Sequence, residues 1–117
     1  MKNIMELCNV SNKYKTKGEW GIEIEVEGQA LPDVLPPDIW RIEADGSLRG
    51  ESHEYVMPKP KDLTGVRTAL TILREAYVYY KSTISESVRA GVHVHMNVQN
   101  WNVKQVFTFF TLYFMLE

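Results

Sequence analysis

The sequence predicts an α+β fold with a mostly antiparallel sheet and helices packed on one side of it. Two segments, 20–27 and 88–98, alternate between apolar and polar residues, as half-buried strands do. A third segment, 62–82, repeats apolar residues at spacings of three and four, which is typical of an amphipathic helix. Strands grouped with helices on one side favour the α+β class.

The first half of the chain reads as one strand followed by a hairpin. Residues 1–18 are polar and carry lysines, and we expect a short strand or loop there. The strand 20–27 is followed by an irregular connection with three prolines, "GQALPDVLPPD". The arms of the hairpin are 39–44 and 54–57, and Asp45-Gly46 supplies the turn signal. Because "LRGES" is longer than a tight turn needs, we expect the arms to be offset or looped.

The second half reads as helix, strand and helix. Asp62 is a good N-cap for the helix 62–82. In the strand 88–98, Val92 and Val94 belong to an apolar face that is expected to join the core. Asn100 or Asn102 is expected to cap the final helix, which begins near residue 103.

Size, charge and cysteine content narrow the functional classes. The chain has 117 residues, of which 44% are hydrophobic, and this predicts a single domain with a real core. The net charge is −2 and the basic residues are scattered, so the sequence lacks the footprint of a nucleic-acid or membrane-surface protein. The single cysteine, Cys8, cannot form an internal disulfide, and a reducing, cytoplasmic location is expected.

The last segment, 103–117, is apolar almost all round a helical wheel. Its apolar run is broken by threonines and is too short to span a bilayer. Such a helix needs cover on several sides. We therefore expect the chain to be the N-terminal portion of a longer domain, whose C-terminal half covers the helix, or an oligomer. A small domain with a well-buried terminal helix is the alternative.

Two predicted strands carry residues that bind cations. Glu23, Glu25 and Glu27 share one face of the first strand, while His93 and His95 share one face of the second. Alternate residues of a strand lie about 6.5–7 Å apart, so their side chains can converge on one ion or phosphate group. Carboxylates suit Mg²⁺ or Mn²⁺, whereas Zn²⁺ usually needs three or four protein ligands. The ordinary interpretation of the glutamates is a solvated strand face that discourages aggregation.

The hairpin adds three further candidates. Asp45 and Ser47 lie at the turn, where either residue is also a common turn former. Glu54 is a charged group in an otherwise apolar arm, and a solvent-facing position explains it equally well. His53 falls on the opposite face from Glu54 in a regular strand, so we leave it out of the site.

Taken in order, the segments "GIEIEVEG", "EADGSL", "HEYVMP" and "GVHVHMNV" resemble the signature of the amidoligases. These carboxylate–amine ligases are related to glutamine synthetase and glutamate–cysteine ligase, and occur in bacteria and their phages. The resemblance covers about residues 19–117 and implies part of a glutamine-synthetase-like sheet. Family members are considerably longer, so this chain is expected to hold only part of the site.

The resemblance implies an ATP- and Mg²⁺-dependent ligase, with Mn²⁺ as an alternative metal. ATP phosphorylates a small-molecule or peptide carboxylate, and an amine attacks the acyl phosphate to form an amide. The implied metal ligands are Glu23, Glu25 and Glu54; the implied nucleotide contacts are His93, His95 and Arg89; the implied catalytic residues are Glu25, Asp45, Ser47 and His93. Two other functions remain open: a non-catalytic module that binds a nucleotide or a partner, and a metal-dependent hydrolase that uses His93 and His95.

Overall fold

The computed structural model describes residues 1–9, 18–44 and 46–116. These residues form two compact units. One unit comprises the described residues of Met1–Thr16 together with those of Asn97–Glu117, and the other comprises those of Lys17–Met96. The elements, in chain order, are α1 (Ile4–Leu7), β1 (Trp20–Gln29), β2 (Arg41–Glu43), β3 (Ser52–Val56), α2 (Leu63–Tyr80), β4 (Thr83–Ile84), β5 (Gly91–Met96) and α3 (Val103–Leu116).

The larger unit is built on a five-stranded antiparallel sheet with β1 at its centre. One edge of β1 pairs with β3, which in turn pairs with β2. The other edge pairs with β5 along its first part and with β4 at its end. The α+β class, the antiparallel sheet and the β2–β3 pairing were all predicted from the sequence and are confirmed.

The core lies between one face of this sheet and helix α2. Every second residue of β1 points into it, because side chains alternate along a strand. The buried cluster consists of Ile22, Val26, Leu31, Trp40, Tyr55, Met57, Val66, Ala69 and Leu73. Trp40 directly precedes β2 and links it to α2, because its indole N–H donates to Ala69 O at 2.8 Å.

Helix α2 begins where the sequence predicted. Asp62 is its N-cap and accepts a hydrogen bond from Gly65 N–H at 2.7 Å. The helix ends at Lys81, whose φ of 54° is left-handed and whose N–H caps the last turn. The residues just beyond the predicted helix, Thr83 and Ile84, form the two-residue strand β4.

Two predictions for the histidine strand are wrong. The strand was expected over 88–98, but β5 is limited to Gly91–Met96. Its apolar face was expected in the core, but Val92 and Val94 are 62% and 59% exposed. The alternation of apolar residues indicated a strand correctly, but it could not say whether anything covers the apolar side.

In the smaller unit, residues 1–9 contain a short helix where a strand or loop was expected. Helix α1 has a capping box: the Asn3 side chain accepts from Glu6 N–H at 2.9 Å, and the Glu6 side chain accepts from Asn3 N–H at 3.0 Å.

Helix α3 begins after Asn102, whose side chain accepts from Gln105 N–H at 3.0 Å, as predicted. The apolar residues of α3 are exposed or half-buried, and Phe109 packs edge-on against Trp101. None of the described helices has the length and apolar character needed to cross a membrane.

Candidate functional site

The candidate site is the face of the sheet that points away from α2. Ile22 and Val26 of β1 are buried against the core, so the alternate residues Glu23 and Glu25 must project from the opposite face. Their carboxylates are partly shielded: the Glu25 side chain is 16% exposed and that of Glu23 is 26% exposed. Burial of the aliphatic face of β1 therefore fixes the direction in which Glu23 and Glu25 project.

The two histidines of β5 converge on the acidic strand. Glu23 lies opposite His93 in the ladder, and Gly21 lies opposite His95. Glu23 Oε2 is 3.0 Å from His95 Nε2 and 3.4 Å from His93 Nδ1, while Glu25 Oε2 is 3.9 Å from His93 Nε2. The pairing of β1 with β5 thus brings the predicted glutamate face and the predicted histidine face together.

A row of three glutamates crosses the sheet beside these histidines. Glu25 lies directly opposite Glu54 of β3, and Glu54 lies directly opposite Glu43 of β2. Directly opposite side chains on one face have Cβ atoms about 4.5–5.5 Å apart, and like charges in such pairs are destabilising. Glu43 has its own counterion, because Arg41 forms an ion pair with it.

Glu27 has a structural role that the sequence left undecided. Its Oε1 accepts a hydrogen bond from Arg49 N–H at 2.9 Å. This bond, with help from the Ser87 hydroxyl, keeps the pKa of the Glu27 carboxyl below its usual value. Glu27 therefore fastens the loop after the hairpin turn to β1, while Glu23 and Glu25 lie nearer the start of β1, beside the histidines of β5.

Arg89 and Ser47 lie outside the strands that carry the glutamates and histidines. Arg89 was expected on the polar face of the histidine strand, but it precedes β5, and its guanidinium donates to Ser47 O at 3.3 Å. The structure thus brings Arg89 and Ser47 to each other. Asp45 lies outside the described residues. His53 lies on the opposite face of β3 from Glu54, as predicted, and packs edge-on against Tyr55.

The imidazoles set the ionisation of Glu23. The hydrogen bond from His95 is the largest effect and keeps the pKa of the Glu23 carboxyl below its usual value; His93 acts in the same direction, and partial burial opposes both. A carboxyl with a lowered pKa in the folded state stabilises the fold at pH values above its unfolded pKa. That contribution is lost as the pH falls through the folded pKa.

We therefore expect Glu23→Gln to remove part of the acid sensitivity of this protein. The unfolding free energy of the wild type should fall relative to that of the variant between about pH 5 and pH 3, by up to about 1 kcal/mol. Urea unfolding at a series of pH values measures the difference. Glu75→Gln, at an exposed position of α2, is the control and should give a smaller dependence. A Glu23→Gln difference that is constant with pH would contradict the assigned ion pairs.

The donor chemistry of this face fits a hard divalent cation. Three carboxylates on neighbouring strands, Glu23, Glu25 and Glu54, are oxygen donors of the kind that Mg²⁺ and Mn²⁺ prefer. Within the described ranges, no three such side chains are already arranged around one point as a metal site would be. Glu23 is engaged by the two imidazoles, so binding a cation there requires a side-chain rotation.

An apolar groove lies on the other side of the sheet. It has a volume of about 690 Å³ and runs between α2 and β1, lined by residues that include Ile24, Leu73 and Tyr77. The acidic residues and histidines do not line it. On the polar face, the carboxylates and imidazoles would hold a ligand by charge and hydrogen bonds.

Glu43 and Arg41 belong to this face but were missed in the sequence. Their alternation within the predicted arm 39–44 was a usable signal, because it puts both side chains on one face. Their position beside Glu54 depends on the β2–β3 register, which a long connection leaves undetermined.

Comparison with known proteins adds no assignment: no protein-family model, no curated protein and no solved structure matches this chain.

Proposed function

We propose that this chain carries the cation- and nucleotide-binding sheet of an ATP- and Mg²⁺-dependent carboxylate–amine ligase. The proposal rests on the order of the four amidoligase-like segments and on one structural observation. That observation is the meeting of Glu23, Glu25, Glu54, His93 and His95 on a single face of the sheet.

The density of negative charge is the physical support for a cation at this face. Glu25 and Glu54 are direct cross-strand neighbours, and Glu23 is on the same face of β1. Like charges placed this way cost stability unless a positive group lies between them. Arg41 forms an ion pair with Glu43, and the histidines lie 3.0 and 3.4 Å from Glu23 and 3.9 Å from Glu25. A divalent ion between Glu25 and Glu54 would offset the repulsion between their carboxylates.

Each residue then has a chemical task. Glu23, Glu25 and Glu54 would hold the metal, and bound Mg²⁺ would neutralise the triphosphate and keep the reacting groups in line. His93 and His95 would donate hydrogen bonds to phosphate oxygens once they turn from Glu23. Ser47 and Arg89, which bond each other, would lie toward the carboxylate substrate.

Calorimetric titration of the protein with ATP tests the proposal. We expect heat of binding in the presence of Mg²⁺, and binding at least about tenfold weaker for Glu25→Gln or Glu54→Gln, because each variant removes one charged ligand. Glu75→Gln is the matched control and should bind as the wild type does. Circular dichroism of each variant confirms that it is folded.

The alternatives give different results in the same assay. Folded wild-type protein that shows no heat with ATP and Mg²⁺, or Glu25→Gln that binds as well as the wild type, overturns the proposal. Tight Zn²⁺ binding without nucleotide affinity supports a hydrolase that uses His93 and His95. Nucleotide binding that never leads to ADP with any carboxylate and amine supports a non-catalytic module.

A further inference from the structure

Among the described strands, β5 is an edge of the sheet: one side of its main chain pairs with β1 and the other side pairs with none of them. Within residues 1–9, 18–44 and 46–116, β5 pairs with β1 alone. The side of β5 that faces away from β1 therefore offers N–H and C=O groups that no described strand satisfies. An edge of this kind is a template for adding another strand.

The hydrogen bonds of β1 show which residues of β5 face outward. Met57 N–H donates to Ile22 O at 3.0 Å and Gly28 N–H donates to Glu51 O at 3.0 Å, so even-numbered residues of β1 bond toward β3. Odd-numbered residues consequently bond toward β5. Because bonded residues are directly opposite in an antiparallel ladder, His93 bonds to Glu23, and the main chain of Val92 and Val94 points away from β1.

The sequence and pairing of this edge lack three of the usual features that prevent strand addition, namely lysine, proline and a bulge. The sequence of β5, "GVHVHM", contains no lysine and no proline, and its pairing with β1 is regular, without a bulge. Val92 and Val94 are largely exposed, and so are the side chains of His93 and His95. Protected edges carry charge, proline or a bulge for this purpose.

The side chains of β5 indicate what a partner strand must look like. One face of β5 offers valines and the other offers imidazoles. The strand already paired with β5 is β1, which matches this pattern with isoleucines beside the valines and glutamate beside histidine. The outer edge of β5 has the same alternation of valine and histidine. It therefore favours a strand that alternates isoleucine and glutamate as β1 does. β1 of a second copy cannot supply it, because both of its edges are already paired.

We propose that the outer edge of β5 binds an extended segment of a partner protein in which acidic and β-branched residues alternate. Its acidic side chains would lie beside His93 and His95, and its β-branched side chains beside Val92 and Val94. Main-chain hydrogen bonds to Val92 and Val94 would supply the affinity, and the alternation would supply the register. This inference is independent of the proposed ligase activity.

A labelled peptide with the sequence of residues 20–28, "WGIEIEVEG", is a suitable probe. Fluorescence anisotropy with the full chain should show saturable binding, and a peptide with lysine at each glutamate should bind at least about tenfold more weakly. Val94→Pro should abolish binding while keeping the fold, since the N–H it removes points outward. Val94→Thr, which keeps that N–H, is the matched control and should bind the peptide.

Two N-methylated peptides test the same edge without changing the protein. In the bound peptide, the residues opposite Val92 and Val94 must be isoleucines. The N–H groups of these isoleucines face β5. Methylating the isoleucine amides should therefore abolish binding, and methylating the glutamate amides should leave it. Equal binding of both methylated peptides, or of the lysine peptide, overturns the proposal. A dimer that Val94→Pro dissociates and that excludes the peptide would also overturn it, because the edge would then belong to a second copy.

Discussion

Replacing Trp40 with alanine is expected to destabilise the larger unit by about 3–5 kcal/mol, the usual cost of removing a buried tryptophan. Trp40 is 1% exposed, and its indole reaches Ala69 O of helix α2 at 2.8 Å. Truncation leaves a cavity between the sheet and α2 and removes this hydrogen bond. Since domains of this size are stable by about 5–15 kcal/mol, the loss is a large fraction of the total.

Thermal and urea unfolding measure this effect. We expect the midpoint temperature to fall by about 10 °C or more. Tyr79→Ala is the control: Tyr79 is 82% exposed on the same helix and packs edge-on against Tyr80, so its loss should cost less than about 1 kcal/mol. If the two variants lose similar stability, Trp40 does not anchor α2 to the sheet.

The second large effect is expected for Gly28→Ala, at the end of β1. A Cβ atom at Gly28 would overlap the main-chain carbonyl oxygen of Thr83 and lie 3.0 Å from Leu31 Cδ2. The backbone atom cannot move aside as a flexible side chain would, so β4 must separate from β1. Overpacking of this kind costs about 1–3 kcal/mol.

Local and global readouts together identify the cause. The Ser85 N–H, which donates to Glu27 O at 2.8 Å beside this contact, should exchange with solvent faster in Gly28→Ala. Gly46→Ala is the matched control, because a Cβ atom there meets nothing within 4 Å. It should change stability by less than about 0.5 kcal/mol. Unchanged Ser85 exchange in Gly28→Ala would show that β4 tolerates the side chain.

Elements with a clear period or cap were predictable from the sequence. The first strand, predicted over 20–27, is Trp20–Gln29, and the helix after Asp62 begins at Leu63. Short elements were not predicted, because two residues of β4 or four of α1 contain no period. For α1 a signal existed nonetheless: Asn3 followed by Glu6 has the spacing of a capping box.

The sequence by itself determined which residues share a face. Alternation is a local property of an extended backbone, so Glu23 and Glu25 had to project together, and so did His93 and His95. Only the tertiary structure decided that the two pairs meet, that Glu25 lies opposite Glu54, and that Glu27 bonds a loop. Strand partners and register depend on contacts between residues far apart in the chain, and the period of two is the same whichever strands pair.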